Sequence, residues 1–502
     1  MRASPKLRVV SLHRPGGTLA GLFGVGAILI ALALQVLNNT NAAVSLSIVV
    51  VLLAGFTSAW RFKKHGIDPL ALFCFCFVFY DGVLLFRLAT VSNSSVLLYP
   101  SSFTTETYAI AGALCVLAVG TVFLTALAWE STIAPFLKHC KSPQETADRG
   151  TWFWSGLCAY AFGVGLYFLQ FGQEGGYFAA LVMGRGDRFE LDATGLSYPY
   201  LAFVVPGIAS MCYGSEVRKS NAERVICYGL VAVWCTLVLL QGDRRLVLQA
   251  IFTVIAVLSV LRPAALKLKV QTWILIVVAY FLFSIFAYAR PLIAAVAASR
   301  ETPAGAVSEL IDSWSTDWIL PEHTELAGPY LSLLSAVSSS TEHLYGSSYY
   351  ESLPAVLPKF LYPGQKPPIL SSEFASQMHR GIGPASGWGY SPVAEAFVNF
   401  GVAGVVLIFV LWTIFFLVVG EMRYRSASGI IAFAVLFSEA VNANRIDFRN
   451  VYGEIVYFIV GLLTVTCINA ILAGLVGGLL SRKIPSPELR TLGRASVLAT
   501  QL

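Results

Sequence analysis

Residues 392–420 read PVAEAFVNFGVAGVVLIFVLWTIFFLVVG, with Glu395 as the one ionisable side chain. Crossing a bilayer takes about 20 apolar residues in helical form, because no backbone polar group can be left unpaired in hydrocarbon. This stretch is long enough and apolar enough to be a membrane helix. Comparable runs lie at 18–37, 42–60, 69–89, 107–133, 152–172, 199–214, 224–241, 246–261, 271–289, 428–442 and 453–480. Together they predict an all-α polytopic membrane protein with about twelve transmembrane helices in one domain spanning residues 1–502.

Composition agrees. Of 502 residues, 56% are apolar and 12% charged, and mean hydropathy is +0.71. Water-soluble domains carry roughly 25% charged residues, so a soluble surface is excluded. The N-terminal Arg2, Lys6, Arg8 and Arg14 precede an apolar run from Thr18 to Leu37. That run exceeds a signal-peptide core and lacks a clear cleavage site, and reads as a first membrane helix. The nine cysteines show neither paired spacing nor metal-ligand spacing, and no cofactor is expected.

Orientation follows from Lys and Arg placement. With the N-terminus inside, alternate loops carry Arg61/Lys63/Lys64, Lys138/Lys141/Arg149, Arg218/Lys219/Arg224, Arg262/Lys267/Lys269 and Arg423/Arg425. With the two termini these account for 22 of the 34 basic residues, which puts both ends in the cytoplasm. Residues 290–391 form one long outward loop between the ninth and tenth spans, rich in Trp and Tyr. Its apolar stretch Tyr330 to Val337 and its Pro-rich segment Leu353 to Pro368 predict a folded cap with short helices.

Twelve cations remain outside or within spans: Arg87, Arg185, Arg188, Arg244, Arg245, Arg290, Arg300, Lys359, Lys366, Arg380, Arg445 and Arg449. Ten are arginine, whose planar fork grips phosphate or carboxylate oxygens in paired hydrogen bonds. Arg185/Arg188, Arg244/Arg245 and Arg445/Arg449 form three outward pairs, each beside an aspartate (Asp187, Asp243, Asp447). Arg244 and Arg245 are expected in a tight turn, and Arg445 and Arg449, if helical, on one face. Local ion pairing and snorkelling to headgroups would also place arginines here. Convergence of the pairs, with Arg290 and Arg380, would make a site for an anionic lipid-linked ligand.

The tenth span opens with a polar stripe. Ser391 is suited to N-cap it and Pro392 to start it, and Glu395 and Asn399 follow at four-residue spacing. Glu395 is suited to act as a general base toward a sugar hydroxyl, or to pair with a stray arginine. His379 and Arg380 lie just upstream, and Asp81 and Glu439 are further intramembrane acids expected to pair with arginine. Trp388 and Tyr390 would offer aromatic faces to sugars.

The segment Ser391-Pro392-Val-Ala-Glu395-Ala-Phe-Val-Asn399-Phe-Gly401-Val-Ala-Gly404 resembles the motif of bacterial Wzy-type polymerases of O-antigen or exopolysaccharide repeat units. Gly242-Asp-Arg-Arg-Leu resembles their Gly-x-Arg turn, and Arg445-Ile-Asp-Phe their last outward Arg-x-Asp element. Leu357-Pro-Lys-Phe-Leu-Tyr-Pro-Gly-Gln-Lys-Pro367 is similar to the Pro-rich stretch of their periplasmic loop. The resemblance implies a metal-independent, inverting glycosyltransferase with a GT-C-like bundle related to O-antigen ligases. Such an enzyme sits in the inner membrane and moves a growing glycan from undecaprenyl pyrophosphate onto an incoming lipid-linked repeat. Membrane lipid, a chain-length regulator and a flippase are its implied partners, and no nucleic acid. By motif position Glu395, Arg244, Arg245 and Arg445 carry over, and by loop location Arg185, Arg188, His379 and Arg380. Arg290, Arg449, Asn399, Tyr390 and Trp388 complete the expected substrate-binding set. An O-antigen ligase, or a transporter of lipid-linked sugars, are the alternatives; no internal repeat favours the transporter.

Overall fold

In the computed structural model the described residues are 42–86, 103–139, 151–172, 199–241, 243–263, 302–312, 327–339, 343–357, 369–378 and 389–482, with isolated positions at 292, 295–296, 362 and 366–367. Every regular element among them is helical. In chain order they are α1 (Ala42–His65), α2 (Pro69–Phe77, continued by a π-helical turn Val78–Val83), α3 (Thr105–His139), α4 (Trp152–Gly172), α5 (Leu201–Arg218), α6 (Asn221–Leu240) and α7 (Arg244–Leu261). Four short helices follow from the long loop, α8 (Pro303–Asp312), α9 (Ala327–Ser338), α10 (Ser347–Ala355) and α11 (Leu370–Met378). The chain closes with α12 (Pro392–Met422), α13 (Ala427–Phe437), α14 (Glu439–Asn442) and α15 (Phe448–Arg482).

Eight helices among the described residues are long and apolar enough to cross a membrane: α1, α2 with its π turn, α3, α4, α6, α7, α12 and α15. Two expected spans, 18–37 and 271–289, lie outside the described residues. Two more are helical without being both long and apolar enough. One is α5, the other α13 with α14. Both are sheathed by other helices, and α5 buries all but a few of its side chains. A helix clad in protein need not present an unbroken apolar face to lipid, which suits α5, long enough but less apolar, whereas α13 is strongly apolar and only too short.

Two apolar groups build the core. One joins α1, α2, α3, α9 and part of α12, around Phe73, Phe77, Tyr330 and Phe409. The other joins α4, α5, α6, α7, α13 and α15, around Phe153, Trp234, Phe433 and Phe458. Close approach of α4 and α5 needs a glycine: a Cβ on Gly207 would lie 2.7 Å from the backbone nitrogen of Tyr160. Small residues that bring backbones together are a main device of helix packing in membranes. Within the first group the Asn444 amide donates to the Phe73 carbonyl of α2 at 3.1 Å.

The expected folded cap is present in its described part. Tyr330 to Leu334 is buried in α9 against the first core group, and α10 rests on α12 and α15.

Buried charge gathers at the C-terminal ends of several long helices. Arg61 on α1 pairs with Asp68 at 2.7 Å and with Glu130 on α3, while Arg423 closing α12 lies 3.8 Å from Asp68 and donates to the Ile67 carbonyl. Glu216 on α5 takes Arg224 at 3.1 Å and Arg262 at 2.5 Å. These clusters sit at the far ends of α12 and α7 from the residues considered next, separated along α12 by at least the stretch 402–422, about 30 Å of helix.

Candidate active site

The chain entering α12 is fixed before the helix begins. Tyr390 N–H donates to the Arg445 carbonyl at 2.9 Å, and Ser391 N–H to the Ser332 hydroxyl at 2.9 Å. A side chain at Gly389 would meet the Arg445 carbonyl oxygen at 2.4 Å, so only glycine allows this approach. Ser391 then caps α12 as its sequence predicts, its hydroxyl accepting from Val393 N–H at 3.2 Å, with Pro392 first in the helix.

One turn further in, Glu395 is 2% exposed and both its oxygens are engaged. Oε1 accepts from the Ser348 hydroxyl of α10 at 2.9 Å, and Oε2 from Phe448 N–H at 2.7 Å. Asn399 donates to the Ser348 oxygen and to the Glu395 carbonyl, each at 2.8 Å. The expected polar stripe is therefore one hydrogen-bonded chain running Asn399–Ser348–Glu395. Among the described residues, the hydrogen bonds to the Glu395 carboxylate come from a hydroxyl and a helix N-terminus.

Helix α12 breaks just beyond. Gly401 has φ 64° and ψ −151°, a conformation essentially reserved to glycine. The carbonyls of Val398 and Asn399 accept instead from Leu344 N–H at 3.0 Å and Tyr345 N–H at 2.9 Å. The segment leading into α10 thus stands in for the missing turn of helix, and satisfies groups that hydrocarbon could not.

Arg445 and Arg449 do not share a helix face. Arg445 lies in the turn after α14, and α15 begins only at Phe448. Asp447 divides them by capping α15: its Oδ1 accepts from Asn450 N–H at 3.1 Å and from the Asn450 amide at 2.9 Å. Its Oδ2 takes the Ser371 hydroxyl of α11 at 2.5 Å. Burial pushes the Asp447 carboxyl above the ordinary carboxylate range, opposed by these hydrogen bonds and the nearby Arg449. Arg449 donates to the Pro367 carbonyl.

Arg244 and Arg245 are likewise not in the turn; they are the first two residues of α7. Cations at a helix N-terminus oppose its dipole, and Arg245 is compensated by Glu454 on α15, 2.5 Å away. Glu454 also accepts from the amides of Gln249 at 2.5 Å and Asn442 at 3.0 Å. Both amides reach Glu439 as well, each at 3.2 Å. The Arg245 charge also acts on Glu439, although its ion pair is with Glu454. Among the described residues, the side-chain hydrogen bond to Asp81, which lies in the π-helical turn, comes from the Cys115 thiol at 3.9 Å.

Three separate sequence elements therefore meet on the first two turns of α15. Glu395 reaches Phe448, Arg245 reaches Glu454, and the Arg445–Asp447 turn leads directly into the helix. Tyr349 packs on Phe448 and Phe400 beside Glu395. Burial chiefly, with the Glu395 carboxyl facing it, pushes its hydroxyl well above the ordinary range. Tyr390 turns its ring inward against Phe374. Burial and the carboxyls of Glu395 and Asp447 push its hydroxyl up too. Arg185, Arg188, Arg290, His379, Arg380 and Trp388 lie outside the described residues. Ser348, Ser371, Asn442, Gln249 and Glu454 enter the site without a sequence motif to mark them.

No family model matches the chain, and neither a curated protein nor a solved structure matches it.

Proposed function

We propose that this protein is an inner-membrane glycosyltransferase that polymerises undecaprenyl-pyrophosphate-linked oligosaccharide repeats into O-antigen or exopolysaccharide. The growing glycan is transferred as a block onto the incoming repeat, at the periplasmic face. What supports the reading is the meeting, at the head of α15, of the three segments that resemble the polymerase motifs.

In this reading Arg244, Arg245, Arg445 and Arg449 receive the pyrophosphate and stabilise the charge that grows on it as the anomeric carbon–oxygen bond breaks. The acceptor hydroxyl attacks that carbon from the opposite side and inverts it. Its proton passes to the Ser348 hydroxyl as Ser348 gives its own to Glu395, along the 2.9 Å hydrogen bond already in place. Asn399 holds Ser348 in register. The segment 343–346, bonded to α12 at its break, brings the long loop over the same place.

The test is chain growth by purified protein in detergent supplied with lipid-linked repeat alone. A ladder of products supports a polymerase. Transfer only when a lipid A core is added identifies a ligase, and no reaction with either acceptor leaves transport as the activity.

A further inference from the structure

Glu439 and Glu454 pose a charge problem inside the bundle. They are 0% and 4% exposed, and their carboxyl groups face one another. The same two amides bridge them: Asn442 donates to both, and Gln249 donates to both. Among the described residues the charged groups facing the pair are Arg245, in the first turn of α7, and Asp243, the residue before that helix. Full ionisation would set two buried carboxylates, with Asp243 nearby, against a single facing guanidinium. Carboxylates that share a site resist double ionisation, and a buried charge without a counter-charge is worse still. One proton on the pair leaves one carboxylate for one guanidinium. The two bridging amides can serve either location of that proton.

We propose that Glu439 and Glu454 hold one proton between them and act as positioning residues for Arg245, coupling its engagement of a phosphate anion to proton uptake. The coupling rests on the reading of Arg245 as a pyrophosphate ligand; the shared proton does not. Arg245 keeps its side chain 15% exposed while Glu454 holds it. When an anion shares the guanidinium, Glu454 loses part of its counter-charge, and the pair takes a second proton from solvent. By linkage, anion binding then tightens as pH falls.

The experiment uses the full chain in detergent, inorganic pyrophosphate as the probe, and infrared absorption of protonated carboxyl groups as the readout. Wild-type protein at neutral pH is expected to show a protonated-carboxyl band that Glu439→Gln diminishes and that the control Asp81→Asn does not account for. Adding pyrophosphate to wild type is expected to strengthen the band. Replacing Glu439 and Glu454 together with glutamine, which mimics the doubly protonated pair, is expected to flatten the pH dependence of pyrophosphate binding and hold it at its acid-limit affinity. A band unchanged by Glu439→Gln overturns the shared proton. Should that variant fail to fold, the wild-type band alone decides, because its absence, or no gain with saturating pyrophosphate, overturns the coupled pair. Absence of pyrophosphate binding with the band behaving as expected overturns the phosphate reading of Arg245 and leaves the one-proton pair standing.

Discussion

The carboxylate of Glu395, four residues into α12, accepts a 2.7 Å hydrogen bond from the backbone N–H of Phe448, the first residue of α15. One side chain therefore serves two helices. It belongs to the polar stripe of α12 and fills one of the orphan donors that open α15. Asp447 fills another at Asn450.

Glu395→Gln keeps an oxygen for one of the two donors and removes the charge. The expected outcome is folded protein that makes no polymer, with the ladder on a glycan gel reduced to single repeats. Glu395→Ala strands both the Ser348 hydroxyl and the Phe448 N–H, and should lower unfolding stability by about 1–3 kcal/mol. Polymer of normal length from Glu395→Gln would remove this residue from the reaction.

Gly401→Ala places a Cβ at φ 64° and ψ −151°. The strain expected is about 1–3 kcal/mol, read as a fall in the thermal unfolding midpoint. Relief by regularising α12 would take the Val398 and Asn399 carbonyls from Leu344 and Tyr345. Proteolysis within the 343–346 segment should then accelerate.

Arg245→Ala leaves Glu454 and Glu439 buried without the facing guanidinium, and is expected to cost about 3–5 kcal/mol. Replacing Arg245 and Glu454 together with Met and Leu should restore much of that stability without restoring polymer. Stability and activity that recover together would mean Arg245 acts only as a structural ion.

Asp447 gives a pH dependence of known sign. Its folded carboxyl titrates above the ordinary range because it is buried. Its contribution to stability is then complete below the unfolded-state value and is lost as pH rises through the raised one. Compared with Asp447→Asn, wild-type protein should gain stability on moving from neutral toward mildly acidic pH, measured by thermal unfolding across that window. A difference that runs the other way contradicts the burial assigned to Asp447.

Much of this was legible in the sequence and some was not, for reasons that differ by residue. Ser391, Pro392, Glu395 and Asn399 carry local rules, capping and four-residue spacing, so their arrangement follows from the string alone. Arg445 and Arg449 obeyed the same spacing but parted because Asp447, between them, starts a new helix. Glu454 sits at the edge of an apolar run, and nothing nearby in sequence marks it. Its role comes from Arg245, 209 positions earlier, and from two amides on other helices. Helix α5 is less apolar than the lipid-facing spans because protein surrounds it, and α13 is apolar but short.

The most direct test of the central claim is in vitro chain growth by the purified protein, given undecaprenyl-pyrophosphate-linked repeat and no other acceptor, with Arg244→Ala alongside. Wild type is expected to give a product ladder and to release undecaprenyl pyrophosphate in step with each linkage, and the variant to do neither. Lipid-linked repeat that stays unchanged with wild type, while the protein is folded and binds it, would contradict the claim.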